Sequence, residues 1–391
     1  MAILGGVVLA ACAASPSMAP ASSSAPSPDP TATPVAFPPA TIGAFPQLTD
    51  ATLPASTVAA LDGALSAGVE LGEAQAIAAS VIVPGVGGWS GVAGDDGAGE
   101  AIAVDAQFAI ASITKTVVAA QVLALAEDGM IDLDAPLGDY LPSDLDIDTN
   151  DATVEEFLAM RTGLAQVPDE VLTSVLTEDH DRAITLEQVA PLLEDPVREP
   201  GLVTEYNNLN YALLGAAIAE VTGESLSSAL RSGVLAGEGL ERLVYQDEER
   251  PQGPVSPPGP IEGIPAGTDL LEAGGGFLPT RALATAAGAA GAIASESSAL
   301  TRWGYLLYGG FVLEPASLAA MTDVGDGYGL GCHPIDEFGL DGIGHSGRLP
   351  GYISLLYADA SSGIIVAVLV SAESWNPGIT AGDLLSVVED S

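Results

Sequence analysis

The chain of 391 residues holds a single lysine, Lys115, among 10 lysines and arginines. It sits in "FAIASITKTVVAAQ", residues 108–121, three positions after Ser112. Arginine can replace a surface lysine, but a guanidinium stays protonated and cannot serve as a base. On a helix, residues three apart share a face with Cβ atoms about 5 to 6 Å apart, so the amine can reach the hydroxyl. A neutral amine would accept the serine proton and make Ser112 a nucleophile. Ala111, Ile113, Val117 and Val118 provide apolar surroundings, and burial lowers a lysine pKa by penalising the charged form. Placed at a helix start, Ser112 would also aim its backbone N–H at a reacting carbonyl. Alone, S-x-x-K is a weak signal, because an exposed helix-start serine beside a solvated lysine has the same spelling.

Two other short motifs carry compatible chemistry. In "PGLVTEYNNLNYALLG", Tyr206 and Asn208 form Y-x-N just before a helical stretch. A phenol near a cation ionises more easily and can relay a proton to a leaving group. The Asn208 amide can bond both lysine and a substrate amide. The competing reading makes Asn207 or Asn208 a helix N-cap and Tyr206 a partly buried core residue. In "GIGHSGRLPGYISLLY", His345, Ser346, Gly347 and Arg348 follow one another. Gly347 on a strand edge would let a substrate backbone approach and pair. The N–H of Arg348 would join that of Ser112 as a second oxyanion donor. Otherwise His345 is a turn histidine without a duty.

These motifs need elements to bring them together. Residues 54–71 show helical spacing of Val58, Leu61, Leu65 and Val69. "AIAASVIVPG" and "GWSGVAG" read as a strand hairpin. The lysine segment favours helix up to Gly129. Residues 153–164 read as a capped helix ending at Gly163, with Thr153 and Glu156 as the capping-box pair. "NYALLGAAIAEVTG" is a second helix, and the proline-rich 250–267 a loop. "EAGGGFLPT" and "GAAGAIAS" are glycine-interrupted strand or turn segments, and "SALTRWGYLLYGG" is a helix. "YISLLYADASSGIIVAVLVSA" gives strand, turn and strand, with "IIVAVLV" in the sheet centre because it is apolar on both faces. A closing helix follows. The order predicts a sheet assembled from both chain ends with a mostly helical insertion.

Taken together, S-x-x-K, Y-x-N and H-x-G in this order resemble the serine β-lactamase and penicillin-binding superfamily. The resemblance is to the branch of class C β-lactamases, D-alanyl-D-alanine carboxypeptidases and related esterases. It runs from about Leu48 to the C-terminus, through "FAIASITKTVVAAQVLALAEDGMIDLDAPLGDYLP", "PGLVTEYNNLNYALLGAAIAEVTGESL" and "YGLGC…GHSGRLPGYIS". It implies a mixed α and β, transpeptidase-like fold with a central antiparallel sheet flanked by helices. The sheet domain would comprise 48–115 and 268–391, the helical domain 116–267, and the active site would lie between them. Ser112 becomes the acylated nucleophile. Lys115 and Tyr206 share general acid–base work, and Asn208 positions lysine and substrate. His345 takes the electrostatic place of a lysine, and Ser346 bonds a substrate carboxylate. "FLAMRTGL" puts Met160 where relatives carry a histidine, a position with a structural part to play.

The implied activity is a serine hydrolase acting on a peptidoglycan stem peptide ending in D-alanyl-D-alanine or on a β-lactam, with hydrolysis of a small ester or amide as the alternative. A catalytically silent peptide-binding lipoprotein is the alternative from another class. No cofactor is implied, and two cysteines with three widely spaced histidines do not suggest a metal site. Hydrophobic residues at 48% and charged ones at 16% describe a globular body. A net charge of −42 excludes a nucleic-acid or anionic-membrane surface and is suited to solubility or salt. Residues 1–12, "MAILGGVVLAAC", have the length of a signal-peptide core. "LAAC" resembles the bacterial lipobox, with Cys12 as the lipidated residue, although no basic residue precedes the run. Residues 13–47, rich in Pro, Ser and Ala, read as a disordered tether. The expected location is extracytoplasmic, with lipid contact through the anchor only.

Overall fold

A strand made from "IIVAVLV" needs apolar cover on both faces, and that need organises the architecture. The computed structural model describes residues 45–70, 74–96, 99–168, 180–257, 272, 274–325, 327–359 and 361–389. The N-terminal part gives α1 (Ala55–Glu70), β1 (Ala76–Val83) and β2 (Gly87–Gly94). Then β3 (Phe108–Ala109) enters a 3₁₀ turn, Ala111–Ile113, that runs into α2 (Thr114–Glu127). The middle supplies α3 (Val154–Leu158), α4 (Leu186–Val189), α5 (Asn208–Thr222), α6 (Leu226–Ser232) and β4 (Val244–Tyr245). The last part gives α7 (Arg281–Ala287), β5 (Ile293–Ser295), α8 (Ser297–Tyr308) and α9 (Pro315–Met321). It closes with β6 (His333–Pro334), β7 (Ile343–Leu349), β8 (Tyr352–Ala358), β9 (Ile365–Ser371) and α10 (Pro377–Glu389).

Six strands form one antiparallel sheet in the order β2-β1-β9-β8-β7-β6. Strands from both chain ends therefore interleave, and β9 lies inside the sheet. Its side chains alternate between two cores. Val366, Val368 and Val370 face Leu61 and Leu65 of α1 and Leu384 of α10. Ile365, Ala367 and Leu369 join Trp303 of α8 and the core of the helical region. A smaller sheet, β3-β5-β4, ties the strand before the 3₁₀ turn to the region around β4. Polar stitches cross the apolar layer: Trp303 Nε1 donates to Thr116 Oγ1 at 2.9 Å, and the Thr301 hydroxyl to Ser80 Oγ at 3.0 Å. Buried side-chain donors need such partners.

Several boundaries differ from the sequence expectations. The folded body already includes Phe45 and Pro46 inside the expected tether. Phe45 packs against Tyr305 with ring centroids 5.2 Å apart, and the Tyr305 hydroxyl donates to the Pro46 carbonyl. An aromatic in a tether has surface to bury when a groove is within reach. The signal segment, Cys12 and residues 13–44 lie outside the described residues, as do 258–267 of the proline-rich loop. The capping box forms as expected: Thr153 N–H donates to Glu156 Oε2 at 2.9 Å, and Glu156 N–H to Thr153 Oγ1 at 3.2 Å. Yet α3 stops at Leu158, well before Gly163, because Met160 takes a left-handed φ of 58°.

Removing this cap tests its role. Thr153→Ala should lower the unfolding free energy by about 1 kcal/mol, measured by urea denaturation, and an unchanged midpoint would show that the box is redundant.

Candidate active site

Four elements meet at Ser112. The residue occupies the 3₁₀ turn ahead of α2, and its predecessor Ala111 has φ 48°. A non-glycine residue in that region is strained, and such strain persists only where surrounding structure imposes it. Here β7 presses on the turn. A Cβ added to Gly347 would lie 2.2 Å from Ile110 O and 2.4 Å from Ser354 Oγ. The Ser354 hydroxyl in turn donates to Ile110 O at 2.8 Å. Gly347 is thus glycine because the chain's own Ser112 turn comes close, a requirement that the sequence reading did not include.

Lys115, one helical turn on, is fully buried. Its Nζ donates to Asn208 Oδ1 at 2.7 Å and to the Ala290 carbonyl at 2.7 Å, and lies 3.0 Å from Ser112 Oγ. The Tyr206 hydroxyl donates to Ser112 Oγ at 2.8 Å, and Nζ sits 4.8 Å from the Tyr206 ring centroid. Two of the three amine contacts, Asn208 Oδ1 and Ala290 O, are pure acceptors and take two N–H groups. The third direction faces Ser112. A neutral amine therefore points its lone pair at the serine hydroxyl, and an ammonium points its third hydrogen there.

The structure resolves the two readings of Y-x-N by dividing the work. Asn207 is the N-cap of α5, its side chain accepting from Leu209 N–H at 3.0 Å, while its neighbour Asn208 holds the lysine. The turn is braced from below by Met160. Its Sδ accepts from Asn207 N–H at 3.4 Å and from Asn210 Nδ2 at 3.6 Å, and its carbonyl accepts from Glu205 N–H at 2.8 Å. Met160 is therefore structural, as its place in the sequence resemblance implied.

His345 lies close to the centre, its ring 6.3 Å from that of Tyr206. Nδ1 faces the Ser346 carbonyl at 2.5 Å and must carry the proton, so Nε2 accepts from the Tyr328 hydroxyl at 3.1 Å. His333 repeats the pattern: Nδ1 meets Pro334 O at 2.7 Å, and Nε2 accepts from Ser346 N–H at 3.4 Å. The two imidazoles are 4.7 Å apart, so these histidines are not dispersed in space as they are in sequence. Burial is the main force holding His345 well below the usual histidine range, helped by the charges of His333 and Lys115. Burial also lowers His333, with Glu337 and Asp336 pulling the other way. A neutral imidazole does not fill the electrostatic place of a lysine, which corrects that expectation. His345 instead fixes Tyr328, whose ring meets Tyr206 edge-on at 5.9 Å.

Ser346 and His345 line a cavity of about 300 Å³ beside Tyr206, together with Tyr328 and His333. Arg348 follows on β7 with its guanidinium turned away, donating to Glu373 O at 2.7 Å. Sequence reasoning missed Tyr328, His333 and the Ala290 carbonyl. "YGLGCHP", which contains Tyr328 and His333, carried a signal as part of the family-like segment. A backbone carbonyl carries none. Among the described residues no group of three or more His, Cys, Asp or Glu side chains is placed to hold a metal ion.

A family model described as Beta-lactamase matches residues 61–386. Penicillin-binding protein 4 of Amycolatopsis lactamdurans is 26% identical over 298 residues, covering 70% of this chain and 74% of that protein. Among solved structures, D-amino acid amidase from Ochrobactrum anthropi SV3, complexed with D-phenylalanine, superposes with a TM-score of 0.73 at 22% identity. That likeness covers 86% of this chain and 100% of the amidase. A D-stereospecific amidohydrolase from Streptomyces sp. has a TM-score of 0.67 at 24% identity, over 84% and 97% of the two chains. At these identities the structural likenesses show the shared fold.

Two outcomes follow from the geometry. Gly347→Ala forces β7 off the nucleophile turn, and a displacement of that kind costs on the order of a hundredfold in acylation rate; near-normal stopped-flow acylation would show that the close approach is slack. The histidine pair ties stability to pH. Folded-state values lie below the unfolded value of about 6.5, so below that pH the unfolded chain binds protons that the folded chain refuses. Stability is thus complete above about pH 6.5 and falls as pH drops towards the folded values. Between pH 7 and 5 the melting temperature of the wild type should fall more steeply than that of His345→Gln; parallel slopes would remove His345 from the balance.

Proposed function

Because the chain belongs to the β-lactamase family of serine hydrolases, we propose that it is an exported hydrolase that cleaves small amide or peptide bonds through an acyl-Ser112 intermediate. The observation that carries this reading is the pair of contacts on one buried oxygen: Lys115 Nζ at 3.0 Å and Tyr206 OH at 2.8 Å from Ser112 Oγ.

In the reactive state Lys115 is neutral, with two N–H groups committed to Asn208 and Ala290. Ser112 gives its proton to the amine as Oγ attacks the substrate carbonyl carbon. The oxyanion is received by the N–H groups of Ser112 and Arg348. Tyr206 then protonates the leaving nitrogen, and the carbon–nitrogen bond breaks. The ammonium then returns its extra proton to the phenolate, which restores both groups. Water retraces the path: Lys115 and Tyr206 remove its proton as its oxygen attacks the acyl carbon, and that proton passes to Ser112 Oγ as the ester bond breaks and the acid leaves. Asn208 orders the lysine throughout.

The relatives support amide substrates, one being named a penicillin-binding protein and others D-amino acid amidase and D-stereospecific amidohydrolase. D-Alanyl-D-alanine carboxypeptidase-like or β-lactamase-like activity is the second reading, favoured by the first of these names. "LAAC" supports lipid attachment at Cys12 and an extracytoplasmic site of action.

A labelled penicillin and a fluorophosphonate, each applied to wild type, Ser112→Ala and Lys115→Arg, separate the possibilities. The expected result is fluorophosphonate labelling of the wild type, lost in Ser112→Ala and reduced at least a hundredfold in Lys115→Arg. Lasting penicillin label would mark the carboxypeptidase-like reading, and rapid turnover the β-lactamase-like one. Near-normal reactivity of Lys115→Arg would eliminate the lysine as proton acceptor.

A further inference from the structure

The cavity beside Tyr206 has a charge pattern that bears on what enters it. A substrate whose leaving group ends in a carboxylate needs a cation or an uncommitted hydroxyl to receive it. All ten lysines and arginines of the chain are among the described residues, and none lines this cavity. Lys115 is buried behind Ser112 with its donors committed. The nearest arginine in sequence, Arg348, turns its guanidinium to Glu373 O. The two histidines in the wall are neutral and hold their single N–H groups on Ser346 O and Pro334 O. The hydroxyl expected to bond a carboxylate, that of Ser346, donates to Glu337 Oε1 at 3.4 Å. Asp336 and Glu337 both border the cavity and are exposed.

We infer that Glu337, seated against Ser346 and assisted by Asp336, is a specificity-determining residue that selects substrates whose leaving group carries an amine and rejects those ending in a carboxylate. The selection acts on the leaving-group side because Tyr206, which protonates the leaving atom, forms the adjoining wall; the inference rests on the acyl-Ser112 reading above in this respect. A leaving-group ammonium within reach of Glu337 gains a charge-assisted hydrogen bond. A carboxylate in the same place meets a like charge, and among the described residues lining the cavity each side-chain donor is already in use. The net charge of −42 acts in the same direction by drawing cations towards the cleft.

The test uses the full chain and three amides that share an N-acetyl-D-alanyl acyl part. Their leaving amines are D-alanine, D-alanine amide and the aminoethyl amide of D-alanine, which end in an anion, a neutral group and a cation. Hydrolysis is followed by mass spectrometry as kcat/KM. The expected order is cation, neutral, anion, with at least a tenfold span. Glu337→Gln should shrink that span several-fold. Glu238→Gln, the same loss of charge on an exposed residue elsewhere, should leave the span intact. Preference for the anionic substrate, an unchanged span in Glu337→Gln, or an equal effect of both variants would overturn the inference. Ser112-dependent hydrolysis without charge preference would defeat it while leaving the acyl-serine reading standing. Absence of hydrolysis together with absence of fluorophosphonate labelling at Ser112 would defeat both.

Discussion

One buried amine holds the site together. Lys115 has no access to water, so each of its polar directions must end on the protein. The three partners come from three separate stretches: Ser112 from the turn before α2, Asn208 from the start of α5, and the carbonyl of Ala290 from the segment before β5. An unmet donor in such a place costs about 1–3 kcal/mol, more if charged. The lysine therefore does two tasks. It binds the helical region to the segment that feeds the sheet, and those same bonds leave its remaining direction facing Ser112 Oγ.

Around this centre the fold is a set of constraints on angle and distance. The two-sided core of β9 fixes the sheet. β8 and β7 follow from it, and β7 presses on the turn at Ile110 and Ala111 through a position where only glycine fits. The left-handed φ of Ala111 is the local sign of that pressure. Met160 performs the equivalent service for the opposite wall, its sulfur receiving two N–H groups beneath the Tyr206–Asn208 turn. Sulfur is a weak acceptor, but a soft, adaptable side chain fits a place with two donors at unequal distances.

How much of this was legible depends on what sort of information each residue carries. Ser112, Lys115, Tyr206 and Asn208 could be grouped because three short motifs, each weak alone, stand in an order that resembles one family. The two-faced strand could be read because a run apolar on both faces needs cover on both sides, and the helix over 210–223 because glycine marks its end. The capping box was equally plain, whereas the end of its helix was not. Gly163 looks like a stop, but the chain turns at Met160, whose backbone is held by Glu205 and whose sulfur is held by two asparagines. The division between Asn207 as cap and Asn208 as ligand could not be read, because both residues suit both posts. The Ala290 carbonyl and the His333–His345 contact were hidden for a different reason. They depend on tertiary proximity, and a backbone oxygen has no letter in a sequence.

The strand order has a consequence in time. β1 lies between β2 and β9, so Ala76 waits for Ser371 before its second edge is paired. β7, which packs on the Ser112 turn, is itself joined to β9 through β8. A ribosome that has released the first three hundred residues has made the serine, lysine, tyrosine and asparagine, yet the frame that aligns them does not exist. That frame is complete only when the final strand has been made.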